Sequence, residues 1–332
     1  MTQRYPEIDY IKVTGILAVI VIHCIRPVWH LAVSEIEEVL NQNLRFAVPG
    51  FLFCSGFLYA QTRPLDFRVT LARLKRIVVP YLIASAGAEL YHAWRGAPRA
   101  ADLVFYDIAV GNAFGHYYYV FIIVFLALAT PFFAKLSFRG IVVLTTMICL
   151  NQIYFVALSA MDDGKITDLK ELFWVTRSPL IWWNYFLFGW IVRHRYDTIR
   201  VWVTRYRPAL VAILVLISTG LVAVIASPPT PMFHAFASWL QIPVMIAAVF
   251  SLTCGVRHMP TFLIRISEAT YAIYLYHMFF LLPAEPYLRF PIYVLDPTIL
   301  ASRVAIGIVC PFLMIVAAKR LLKDKARLLL GA

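Results

Sequence analysis

Apolar residues fill this 332-residue chain in long continuous runs rather than in alternation. Ten of the runs read as membrane-spanning helices by hydropathy. They cover residues 10–29, 44–61, 77–95, 117–134, 139–158, 180–193, 208–226, 236–256, 267–283 and 300–318. A spanning helix needs about 20 mostly apolar residues, so the sixth and ninth runs are short. Several runs contain Pro or Gly, which membrane helices tolerate where neighbours satisfy the freed backbone groups. Continuous runs argue against a β-barrel, whose strands alternate apolar and polar positions. No internal repeat, low-complexity tract or separate soluble domain interrupts the pattern. The expected fold is therefore an all-α polytopic membrane protein of about ten helices, one integral-membrane domain over 1–332. The two longest connections, 96–116 and 159–179, have room for short surface helices.

Composition sharpens this picture. Hydrophobic residues make up 61% of the chain and charged ones 14%, more apolar surface than a soluble protein can bury. The five cysteines stand mostly inside apolar runs without a CxxC pair, and they read as packing residues rather than as disulfides or metal ligands. No A-x-A-like cleavage site follows the first run, so it is expected to stay as a helix. Charge then orients the chain. With the N-terminus inside, one set of loops and the C-terminal tail carries 21 of the 30 basic residues, and the other side takes twelve of the eighteen acids. The positive-inside rule places both termini in the cytoplasm.

Against this apolar background, the first run carries Asp9, Lys12 and His23. Polar groups inside a spanning helix are expensive and usually mark function. At about 100° per residue, Lys12 and His23 return to within about 20° of one face, with Asp9 about 40° to the other side. The rise of about 1.5 Å per residue sets His23 about 16 Å deeper than Lys12. Arg73 and Arg76 share a face at i, i+3 before the third run, where forked guanidinium groups suit phosphate, with Lys75 between them. Lipid headgroups would suit them equally well. In the ninth run His277 lies about mid-span, with Tyr274 one turn earlier and Glu268 on roughly the opposite face at the cytoplasmic end. His277 reads as well as a structural histidine bonded across helices as it does as a catalytic one. Glu89 and Arg45 are further intramembrane candidates, and each could serve only to neutralise the other.

Four stretches resemble the membrane acyltransferase-3 family of bacterial acyl-CoA-dependent O-acyltransferases that decorate surface glycans. IDYIKVTGILAVIVIH is similar to the family's first-helix signature, a basic residue followed by His. RFAVPGFLFCSGFLY (45–59) resembles its second-helix pattern, RLKRIVVPY (73–81) its Arg-x-x-Arg element, and SEATYAIYLYH its late-helix motif. The resemblance implies a ten-helix enzyme of the bacterial inner membrane. It further implies acyl-CoA, usually acetyl-CoA, as co-substrate without a metal, and His23 as essential base. Lys12, Arg73 and Arg76, with Lys75 beside them, would serve the coenzyme, and His277 would join the catalytic set. Lys12 stands where Arg is commoner, and Lys lacks bidentate phosphate geometry.

On this reading the polar stripe of the first helix forms one wall of an acyl-CoA tunnel, with the thioester arriving at His23 and imidazole taking the acceptor's proton. Asp9, Arg45, Glu89, Glu268 and Tyr274 are left as orienting or acceptor-side candidates. Membrane lipids and a glycan or lipid-linked sugar are the expected partners; nucleic acid is not, and self-association stays open. The alternative reading is a transporter or flippase of a lipid-linked glycan, which would use the same polar residues for binding or proton coupling. The absence of inverted repeats and broken-helix pairs weighs against it.

Overall fold

The computed structural model describes residues 4–25, 35–60, 67–161, 177–225, 231–256, 258–289, 296–323 and 325–331. Within them the chain is helical and no strand occurs. The first helix, α1 (Pro6–Ile25), is followed by α2 (Glu35–Leu44), α3 (Ala47–Ala60), α4 (Phe67–Trp94) and α5 (Ala101–Val110). A 3-10 turn (Gly115–Tyr117) leads into α6 (Tyr118–Phe133), then α7 (Phe138–Met161) and α8 (Pro179–His194). The remainder comprises α9 (Tyr196–Arg205), α10 (Arg207–Ile225), α11 (Pro231–Thr253), α12 (Thr261–Ala284), α13 (Pro297–Leu322) and α14 (Lys325–Leu330).

Each of the ten predicted runs falls on one of the longer helices. Among the described residues, three segments could cross a membrane by length and composition: Pro6–Ile25, Gly115–Phe133 and Pro297–Leu322. A fourth is added if α9 and the start of α10, bent by 70° at Tyr206, count as one. Polar positions at both ends set α4 apart from these, with Arg68, Arg73, Lys75 and Arg76 in its first three turns and Glu89, Tyr91 and His92 near its end. Large apolar side chains nevertheless stay exposed on outward faces, among them Met147 and Leu150 on α7, Leu216 on α10 and Leu313 on α13. An apolar surface of this kind suits lipid rather than water. The 96–116 connection does fold a short helix, α5. Most of the 159–179 connection, and the end of the first predicted run at 26–29, lie outside the described residues.

α1 is the hub. It packs against α2, α3, α11, α12 and α13. Ile8, Ile11, Ile16 and Ile20 are all buried, as expected of a helix that is apolar on nearly every side. The start of α13 is set by Asp296, whose carboxylate accepts from the Thr298 and Ile299 amides at 2.7 and 3.2 Å, with Pro297 filling the next position. α5 ends at Gly111 in the left-handed region (φ 72°). A Cβ there would also meet the Tyr117 carbonyl oxygen at 2.7 Å, so only glycine lets the chain double back into the turn that carries His116.

The tightest crossing is between α3 and α8. A Cβ on Gly56 would lie 1.8 Å from the Phe186 carbonyl oxygen, and one on Gly189 would lie 2.0 Å from that of Phe53. Small residues facing each other in this way let membrane helices approach backbone to backbone. Gly56→Ala and Gly189→Ala should therefore each destabilise the protein by at least the about 1–3 kcal/mol typical of overpacking. Thermal denaturation in detergent measures this, with Gly220→Ala, which meets nothing within 4 Å, as the silent control. An unchanged melting temperature for both crossing variants would refute the close approach.

Candidate active site

α1 and α12 run parallel, and their polar residues meet at both ends of the seam. At one end the buried Asp9 carboxylate accepts from Ser267 Oγ at 2.5 Å and from Arg4 Nε at 2.6 Å. Lys12 Nζ lies 3.5 Å from the same carboxylate and donates to Ser267 Oγ at 3.4 Å. Arg4 also reaches Glu268 at 3.0 Å, so Glu268 belongs to this end and not to His277. A carboxylate in an apolar bundle needs such donors to offset its lost hydration.

Beside this seam lies a cavity of about 380 Å³. Lys12, Arg73, Arg76 and Glu268 supply its charged lining, and Phe51, Leu58, Ile77 and Ile123 much of the apolar part. Tyr59, Tyr119 and Tyr274 complete the wall, and the Arg73 guanidinium lies 4.1 Å above the Tyr59 ring. A smaller cavity of about 270 Å³, lined by Arg4, Asp9, Lys12 and Glu268, adjoins it through Lys12, Leu58 and Glu268. Of the predicted coenzyme residues, Lys12, Arg73 and Arg76 therefore converge. Lys75 does not: it is exposed on α4 and absent from the cavity wall, because two residues along a helix turns a side chain about 200° away.

His23 stands in the last turn of α1, at the other end of the seam. There it meets His277 of α12 and His116 from the turn before α6. The ring centroids are 5.3 Å apart for His23–His277, 5.3 Å for His23–His116 and 4.7 Å for His116–His277. One backbone carbonyl, that of Tyr274, accepts from His116 Nε2 at 3.1 Å and from His277 Nδ1 at 2.8 Å. The Tyr274 hydroxyl in turn donates to the His116 carbonyl, and Tyr117 Oη donates to the Leu275 carbonyl at 2.7 Å. The turn and α12 are thus tied together by side chains on both partners. Nε2 of His277 is fully buried and has no hydrogen-bond partner among the described residues. The three rings place a nitrogen each within 4.8 Å of one another, so this is also where a metal ion could be gripped.

Several expectations need correction. His23 is not on the wall of the main cavity; Tyr274, which is, stands edge to face with the His116 ring at 5.1 Å, and Tyr119 packs on Tyr274 at 5.4 Å. The bond expected of His277 across helices is made instead within its own helix, to the carbonyls three and four residues back. Glu89 does not pair with Arg45. Arg99 folds back from the loop after α4 and bridges Glu89 at 3.2 Å and Asp107 at 2.6 Å, whereas Arg45 is exposed at the α2–α3 junction. His116 escaped the sequence reading altogether; its one signal is a histidine set in FGHYYYVF at the edge of an apolar run.

The residues along this seam come from stretches that one family model spans together. The acyltransferase-3 model, described as "Acyltransferase domain", matches residues 5–318. A Bacillus subtilis (strain 168) protein named "Putative membrane-bound acyltransferase YfiQ" is 24% identical over 304 residues, which is 84% of this chain and 82% of that protein. No solved structure matches the chain. With all of the chain but residues 1–4 and 319–332 covered by the family model, it belongs to the acyltransferase-3 family of acyltransferases.

Proposed function

We propose that the protein is an acyl-CoA-dependent O-acyltransferase of the bacterial inner membrane, with ten spans and both termini in the cytoplasm. It moves an acyl group, acetyl in the first instance, to a hydroxyl of a surface glycan or its lipid-linked precursor. The observation that carries this reading is the cavity between α1, α3, α4, α6 and α12. Three cations, Lys12, Arg73 and Arg76, stand on a wall that is otherwise mostly apolar, and the wall includes Tyr274, whose carbonyl holds two of the three imidazoles. Phosphates of the coenzyme stop at the cations, where charge-assisted hydrogen bonds favour them. The thin, uncharged arm continues past Tyr119 and Tyr274.

At the imidazoles the acceptor oxygen attacks the thioester carbonyl as His23 takes its proton. The tetrahedral intermediate then expels the coenzyme thiolate, which recovers a proton from the His23 imidazolium. The parallel run of α1 and α12 fits this topology, since both are odd-numbered spans and enter from the cytoplasm. Reporter fusions near Arg200 should accordingly read cytoplasmic, and fusions near Glu285 external. The reverse readings would overturn the orientation.

Purified protein in detergent should release coenzyme thiol from acetyl-CoA in the presence of its acceptor. His23→Ala should lower turnover by about 10²–10⁴-fold, the usual contribution of a general base, while acetyl-CoA affinity stays within about 2-fold. Activity within a few-fold of wild type would refute His23 as base and favour the transporter reading.

Arg73→Ala and Arg76→Ala test the coenzyme site separately. Each should weaken acetyl-CoA binding by about 1.5–3 kcal/mol, and binding should fall as salt rises, because charge pairs open to solvent are screened. Unchanged affinity in both variants would return these arginines to the lipid headgroups.

A further inference from the structure

The bonding of the three imidazoles decides what they can hold. A carbonyl oxygen only accepts, so the bonds to Tyr274 require an N–H at His116 Nε2 and at His277 Nδ1. In the neutral rings the other nitrogens, His116 Nδ1 and His277 Nε2, then carry lone pairs. His277 Nε2 is fully buried and has no hydrogen-bond partner among the described residues, a state that natural proteins rarely leave unanswered. A ring that gives one N–H to a backbone carbonyl and keeps its other nitrogen free is prepared as a metal ligand, because the carbonyl fixes the tautomer and raises the ring's basicity. Two of the three rings have that arrangement, and they share one carbonyl.

The spacing of the rings fits the same role. Zinc–nitrogen bonds of about 2.0–2.1 Å, with each ring nitrogen about 1.15 Å from its ring centre, put the ion about 3.2 Å from each centroid. At tetrahedral angles the centroids then stand about 5.2 Å apart. The observed separations are 5.3, 5.3 and 4.7 Å. A point about 3.2 Å from all three centroids lies just out of their plane, where zinc sits in a three-histidine site whose fourth position is open. One nitrogen of each ring lies within 4.8 Å of the other two. Rotation about χ2, a soft torsion for histidine, draws them closer.

Ligand type and surroundings select the ion. Neutral imidazole suits zinc, copper, iron and nickel, whereas magnesium and calcium prefer oxygen donors. No carboxylate pairs with any of the three histidines among the described residues. Arg303 on α13 is a cation of this region, and its guanidinium is committed to the Cys24 and Leu288 carbonyls at 2.9 and 2.7 Å. His116 and His277 are buried and His23 is partly exposed, so His23 is the ring that an entering ion meets first.

We propose that His23, His116 and His277 form a site for a divalent transition-metal ion of the zinc type. Its occupancy silences the enzyme by taking the lone pair with which His23 accepts the acceptor's proton. The silencing rests on the assignment of His23 as base; the site itself does not.

Protein purified without a polyhistidine tag and stripped with a chelator tests both parts. Titrated with zinc in detergent, it should bind one ion per chain, and cobalt(II) in its place should give the visible absorption of a tetrahedral site. Magnesium should not displace the cobalt. A strong near-ultraviolet thiolate band would assign the ion to cysteine and overturn the site. Losing an outer-shell partner costs a histidine site about 10–100-fold in affinity, so losing a ligand in His116→Ala should cost at least about 100-fold. His116→Gln covers the case in which the alanine variant does not fold, since its amide can still donate to the Tyr274 carbonyl, and it too should lose zinc affinity. No saturable zinc binding at micromolar concentrations, or binding that the folded variants retain, would overturn the site. In the wild type, zinc should inhibit thiol release from acetyl-CoA at the concentration that fills the site, and a chelator should restore it. Full turnover with the site filled would overturn the silencing, as would turnover that is lost on chelation and returned by zinc. Activity retained in His23→Ala would instead overturn the base assignment and leave the zinc-binding result standing.

Discussion

A carboxylate buried in an apolar bundle dictates where its neighbours stand. Asp9 takes its hydrogen bonds from Ser267 and Arg4, with Lys12 close by, and these contacts join α1 to the start of α12. Hydrogen bonds to a charged group contribute about 1.5–3 kcal/mol each, and breaking up a buried pair costs more. Slipping α12 by one residue would move Ser267 by about 1.5 Å along the axis and about 100° around it, leaving the carboxylate unanswered. The register is therefore fixed at the charged end. Eleven residues on from Lys12 and ten on from Ser267, the same register brings His23 against His277. The ion cluster and the imidazoles are two ends of one constraint, separated by about 16 Å of helix.

A second set of bonds brings in the third imidazole. Gly111 reverses the chain after α5, and Tyr117 and His116 then bond to carbonyls of α12 while Tyr274 bonds back. Carbonyls in the middle of a helix are normally committed to their own amides. Here the spare lone pairs of Tyr274 and Leu275 accept side chains as well, which holds a non-helical segment against a packed helix. Tyr274 thereby contributes twice, as a ring on the cavity wall and as the carbonyl that orients two histidines.

Much of this was legible in the sequence. Long apolar runs predict helices wherever they occur, and the 3.6-residue period alone placed Asp9, Lys12 and His23 on one stripe and Arg73 with Arg76 on one face. The same period, applied to position 75, would have turned Lys75 away from the cavity. What failed were inferences about partners. Glu89 found its cation ten residues on in Arg99, across a loop whose path no periodicity records. His116 sits in that same irregular region, and only the tertiary course of the turn carries it to His23 and His277. The helices α2 and α9 were missed because they are short and interrupt their apolar positions with charge. Glu35, Glu37 and Glu38 open the first, and Asp197, Arg200 and Arg205 punctuate the second, so neither forms an apolar run.

The two ends of the α1–α12 seam also divide the chemistry in space. With the topology proposed above, Lys12, Arg73 and Arg76 lie towards the cytoplasm. His116 enters from the connection between α5 and α6 on the opposite side. A highly charged donor then never has to cross the apolar layer, since its phosphates are held at one end while its uncharged arm carries the thioester the roughly 16 Å to the other. The acceptor hydroxyl can come from the side of the α5–α6 turn. Phosphate-binding side chains at one end and imidazoles at the other suit this division of labour. Positive charge attracts phosphate where water is near, and a base works best where its lone pair is not already claimed by a buried cation. The bundle keeps the two apart by nothing more than the length of helix between Lys12 and His23.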